Sequence, residues 1–132
     1  MASARFQVVS LPRDAVSDAP AGNKEADSVG SGRRFVWRFL AANNRSLATA
    51  SDVYPDVESC LRAVTDVKQG VQSVDPQFTR EADGKWQWTI PVKDGAARST
   101  HSYRRQVRAR LTCATFLELV AEPGVIVQVV YR

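Results

Sequence analysis

Residues 34–54, RFVWRFLAANNRSLATASDVY, decide how this chain is read. Arg34 to Leu40 alternates as a strand does. Phe35, Trp37 and Phe39 point to one face, and Val36, Arg38 and Leu40 to the other. Asn43-Asn44 supplies two residues that tolerate positive φ, which a tight hairpin turn needs. Leu47 to Ala50 is then the returning strand. Downstream, Pro55 to Gln69 reads as a helix. Pro55 suits the first helical position. Val57, Cys60, Leu61, Val64 and Val67 share one face at helical spacing. Gly70 is placed to close that helix, and Val71 to Val74 reads as a short strand after it. Upstream, Ala4 to Ser10 is a strand that Pro12 ends. Residues 13–33 carry scattered acids, Pro20, Gly22, Gly30 and Gly32, and few large apolar groups, so they read as a flexible loop.

The order of elements then recurs. Gln77 to Arg80 is a short strand. Lys85 to Ile90 alternates, with Trp86, Trp88 and Ile90 on one face. Asp94-Gly95 is a hairpin dipeptide, and Ala97 to Thr100 returns. Ser102 is the expected N-cap of a second helix that ends near Ala121 before Pro123-Gly124. Gly124 to Arg132 closes the chain as a strand apolar on both sides, which predicts a central, covered place in a sheet. An offset of 51 sets Trp37 on Trp88 and Thr49 on Thr100, and an offset of 53 sets Cys60 on Cys113. Such a recurrence predicts two divergent copies of one unit, 1–75 and 76–132, closing over each other's apolar face within one domain.

The first copy resembles the YegP-like family of unknown function. The likeness rests on Arg38, Ala41, Ala42, Asn43, Ala48, Thr49, Tyr54, Val67 and Lys68. The chain departs from the family pattern in Asn44, where that pattern has Gly, and in one extra residue between Asn43 and Tyr54. About 35 residues carry the likeness; the second copy keeps Trp88, the turn, Thr100 and the helix. The resemblance implies an α+β fold of two tandem β3-α-β units. They would share one antiparallel sheet with two helices on one face and exchange their C-terminal strands. It implies no chemistry.

The 132 residues fit one domain, and 44% hydrophobic with 24% charged content is ordinary for a globular chain. Cys60 and Cys113 read as reduced, buried small residues. No signal peptide and no run near the ~20 apolar residues of a membrane-spanning helix is seen, so a soluble, cytoplasmic protein is expected, with no membrane association. The net charge of +4 falls wholly in residues 67–132, since the first 66 hold eight acids and eight bases.

Candidate functional residues are few. Arg98, Arg104, Arg105, Arg108 and Arg110 lie within thirteen residues that contain no acid. They read either as a contact for phosphate, nucleic acid or an acidic partner, or as a solvated helix face. Trp37, Trp86 and Trp88 with Phe35 and Phe39 are either a stacking platform for bases or the core beneath the helices. His101 is the only histidine, so it forms no zinc site with two buried cysteines and no nucleophile–base pair. The acids are scattered singly, and no Gly-rich phosphate loop is present. The expectation is therefore a protein without metal or cofactor and without catalysis. It is an interaction or scaffold module that takes a protein partner or forms a homodimer. The alternative is nucleic-acid or polyanion binding through the Arg-rich second helix.

Overall fold

The computed structural model describes residues 4–11, 34–93 and 95–130. The loop expected over 13–33, and Asp94 of the expected hairpin dipeptide, lie outside the described residues. In chain order the elements are β1 (Arg5–Leu11), β2 (Arg34–Leu40), β3 (Ser46–Ala50) and α1 (Val57–Gly70). A 3₁₀ turn (Val71–Ser73) follows, then β4 (Gln77–Arg80), β5 (Trp86–Val92), β6 (Gly95–Ser99), α2 (Gln106–Val120) and β7 (Ile126–Val130). The seven strands form one sheet in the order β4-β5-β6-β3-β2-β1-β7. The fold is thus α+β, one sheet with two helices.

Phe6 and Val8 of β1 pair in register with Phe39 and Trp37 of β2, so all four share a face. That face is covered by the helices. Cys60, Ala63, Val64 and Val67 of α1, and Ala109, Cys113, Phe116 and Val120 of α2, are buried against it. The two apolar stripes explain why both helices take the same side of the sheet: each must cover its own, and the aromatic face is the surface that fits. Trp37 and Trp88 are both fully buried there. Trp88 Nε1 donates to Thr112 Oγ1 (3.2 Å), which keeps the buried indole satisfied.

Several expectations need correction. The N-cap of α1 is Asp56, whose Oδ1 accepts from the Ser59 backbone N–H at 2.7 Å, so Pro55 stands outside the helix. The helix runs through Gly70 rather than stopping before it, and Val71–Ser73 is a 3₁₀ turn rather than a strand. Ser102 does not cap α2. Tyr103 still exchanges backbone hydrogen bonds with Trp86 (2.6 and 2.8 Å), which holds the chain extended past Ser102. The Ser102 hydroxyl donates to Glu81 Oε1 (3.2 Å), and the helix begins after Arg105, whose side chain makes no cap bond.

The sheet is not antiparallel throughout. β1 and β7 are parallel, while the other five neighbouring pairs are antiparallel. Nor is the last strand central. β7 lies at the sheet edge beyond β1, with Ile126 50%, Val127 37% and Val129 39% exposed. The other flank of β1 is already taken by β2, so only the outside is open to β7. The end of the sheet at which α2 releases the chain sets its direction.

Candidate functional site

The structure places Arg98 and Arg110 apart from the other three candidate arginines, which lie at the start of α2. Arg98 pairs in register with Thr49 and Thr89. Its neighbours Ala97 and Ser99 are buried on the helix side, so Arg98 faces away from the helices. Arg104 and Arg105 precede α2, so Arg104 does not share a helical face with Arg108. Arg108 lines a shallow groove with Arg45, Leu47 and Leu111. Arg110 lies over the Phe78 ring of β4, 4.4 Å from its centroid, in a cation–π contact. All five are exposed.

The aromatic residues Phe35, Trp37, Phe39 and Trp88 are core, which leaves no room on them for a stacked base. His101 is exposed. Cys60 and Cys113 are free and buried. Burial pushes the Cys60 thiol up to about 12; it pushes Cys113 up to about 11, where Arg110 pulls the other way. Neither thiol is a nucleophile near neutral pH. No group of three or more His, Cys, Asp or Glu residues among the described residues is placed to hold a metal ion.

What sequence reasoning missed is the face of the sheet away from the helices. Pairing registers align Gln128, Gln7, Arg38, Thr49, Arg98, Thr89 and Gln77 as one row across all seven strands. Within it, Arg38 Nε donates to Gln7 Oε1 (2.9 Å) and Gln7 Nε2 donates to Gln128 Oε1 (3.2 Å). Arg5 Nε donates to the same Gln128 oxygen (3.2 Å), and Arg5 Nη2 donates to Asn44 Oδ1. None of the seven described strands contains Asp or Glu. Beside the row, Val9, Leu11, Val36, Arg38, Thr49 and Thr100 line an open depression of about 440 Å³. The alternation in β2 put Arg38 opposite Trp37 from the start. The signal that would have found this face, the complete absence of acids from the strands, became visible only once the strands were known.

The second feature is the β7 edge. Its residues carry no charge, and three large apolar side chains are solvent-exposed. At the opposite edge, β4 carries Arg80, and its Phe78 is covered by Arg110. Charge and cover of that kind keep an edge from pairing with other chains.

No family model and no curated protein matches the chain. The fold is similar to that of two solved proteins of unknown function. One is yegP from E. coli, known from a solution NMR structure, with a TM-score of 0.66 at 11% identity over 98% of this chain and 96% of that one. The other is the UPF0339 protein SO3888 from Shewanella oneidensis, with a TM-score of 0.67 at 8% identity over 96% of this chain and 92% of that one. At these identities the likeness is one of fold. No helix among the described residues is long and apolar enough to cross a membrane.

Proposed function

We propose that the protein is a non-enzymatic interaction module that docks through β7, and that the partner is a second copy of the chain. The observation that carries this is the uncharged apolar strand left at a sheet edge, with Ile126, Val127 and Val129 exposed. An edge strand presents a row of backbone donors and acceptors to a further strand. The segment Ile126-Val127-Gln128-Val129-Val130 has the same polarity in both directions about Gln128. A two-fold axis there would set apolar on apolar and bring no like charges together. The test is the mass in solution over a range of concentrations, for the native chain and for Val129→Lys. Dimer is expected for the native chain. The variant should be monomeric and should melt as the native chain does at concentrations low enough to dissociate the native dimer, because Val129 is partly exposed in the single chain. A native chain that stays monomeric into the millimolar range refutes the proposal.

We further propose that the chain is built of two related halves and belongs to the YegP-like family. Three observations support two related halves. Trp37 and Trp88 are buried at matching positions in β2 and β5. Phe35 bridges Tyr54 much as Trp86 bridges Tyr103. Ala48 pairs with Ser99, 51 positions on, where β3 and β6 meet at the middle of the sheet. On this reading β7, from the second half, has been given to the first strand of the first half. The first half has no strand to return, since Val71–Ser73 is a 3₁₀ turn. Polyanion binding through the second helix is the weaker reading, because Arg98 and Arg110 lie apart from Arg104, Arg105 and Arg108.

A further inference from the structure

We propose that the depression on the helix-free face binds a small anionic amphiphile, an aliphatic monocarboxylate, with Arg38 as its anchor. This site is separate from the β7 edge and does not depend on what that edge binds.

The chemistry of the lining sets the ligand class. Val9, Leu11 and Val36 give an aliphatic wall, and Arg38, Thr49 and Thr100 line the same hollow with polar groups, the Thr49 hydroxyl donating to the Trp37 carbonyl (3.2 Å). The Thr100 hydroxyl is already paired with that of Ser46 (2.8 Å), so the polar side is pre-arranged. A mostly apolar hollow with a few fixed polar groups is the usual form of a small-molecule site, and about 440 Å³ is within the usual size range.

Charge sets the head group. Arg38 is half-buried, and its hydrogen bond is to an amide, Gln7 Oε1, rather than to a carboxylate. Gln7 is in turn held by Gln128, and Gln128 by Arg5. The relay engages the Nε side of the guanidinium, and among the described residues its Nη groups make no hydrogen bond. Since no strand contains an acid, the sheet supplies no counter-ion on that face. A partly desolvated guanidinium without an anion is costly, and a carboxylate can meet it with two parallel hydrogen bonds. Single-stranded nucleic acid suits the face poorly. Phe6, Phe35, Trp37, Phe39 and Trp88 are all turned to the helix side, so among the described residues these rings offer the open face no platform for a base to stack on.

The experiment is an amide NMR titration of the full chain with octanoate, n-octanol and acetate. Octanoate should give saturable shifts centred on Val9, Val36, Arg38 and Thr49. Octanol and acetate should each bind at least about tenfold more weakly, since each lacks one half of the recognition. Arg38→Gln should weaken octanoate about tenfold and leave octanol unchanged. Should Arg38→Gln fail to fold, the comparison of octanoate with octanol on the native chain decides alone. Equal affinity for the two, no saturable shift with octanoate, or shifts centred on residues 126–130 would each overturn the proposal.

Discussion

A Cβ added at Gly95 would stand 2.8 Å from Asp52 Oδ2 and 3.1 Å from the Tyr54 hydroxyl, at a φ of +117°. Two independent costs therefore meet at one position, a steric one and a conformational one. Gly95→Ala is expected to lower stability by about 1–3 kcal/mol, measured by urea unfolding. An unchanged midpoint would mean that the hairpin relaxes without loss. Local sequence announced this glycine through its turn dipeptide. It did not announce the neighbours that make the glycine obligatory, because Asp52 and Tyr54 arrive from the other half of the sheet. Asn44 is the simpler case. Its φ of +69° fits the tolerance of asparagine for that region, and the turn was legible from the Asn-Asn pair alone.

At the scale of the element, the two helices differ most at their starts. Asp56 caps α1 with a hydrogen bond to Ser59, and that bond holds the Asp56 carboxyl below its ordinary value. The contribution of this cap is thus present at neutral pH and is lost as the pH falls through the lowered value. α2 starts on Arg105 with no side-chain cap and no acid in its first turn, and Arg104, Arg105 and Arg108 stand at the positive end of its dipole. Arg105→Asp should supply the missing cap and reverse the unfavourable charge. A gain of about 1 kcal/mol is expected, a rise of a few degrees in Tm by calorimetry. A fall in Tm would show that Arg105 makes a favourable contact that outweighs its position. The strands were legible to within a residue or two where alternation was strong, as in β2. A second turn was missed. Residues 81–85 repeat the hydrogen bonds of 41–45: Gly84 N–H to Glu81 O (2.8 Å) matches Asn44 N–H to Ala41 O (2.8 Å). Gly84 has φ +84°. Asp83-Gly84 is as strong a turn signal as Asp94-Gly95, and it sits in the space between two short strands where alternation is hard to count.

For the molecule as a whole, Phe116 is the keystone. Its ring lies 5.2 Å from Phe39 in the first half and 5.3 Å from Trp88 in the second. Phe39 continues the cluster to Phe6 (4.8 Å), and Phe6 to Trp37 (5.5 Å). One side chain thus joins the aromatic residues of both halves under one layer of helices. Phe116→Ala should cost about 3–5 kcal/mol and keep a single unfolding transition, read by tryptophan fluorescence and circular dichroism together. Two separate transitions would show that the halves hold together independently.

By itself the sequence determined where the seven strands and two helices lie, though not that Val71–Ser73 is a 3₁₀ turn, and which side of β2 and β5 is apolar. Those properties repeat every two or 3.6 residues and need no distant partner to be expressed. Only the tertiary structure decided strand order, and with it both candidate surfaces. Gln7 and Gln128 meet across 121 positions of chain. β7 ends at an exposed edge because β2 had already taken the inner flank of β1. Register between distant strands is fixed by the packing of the whole sheet, where burial outweighs the entropy of closing the intervening chain, and no local pattern carries that balance.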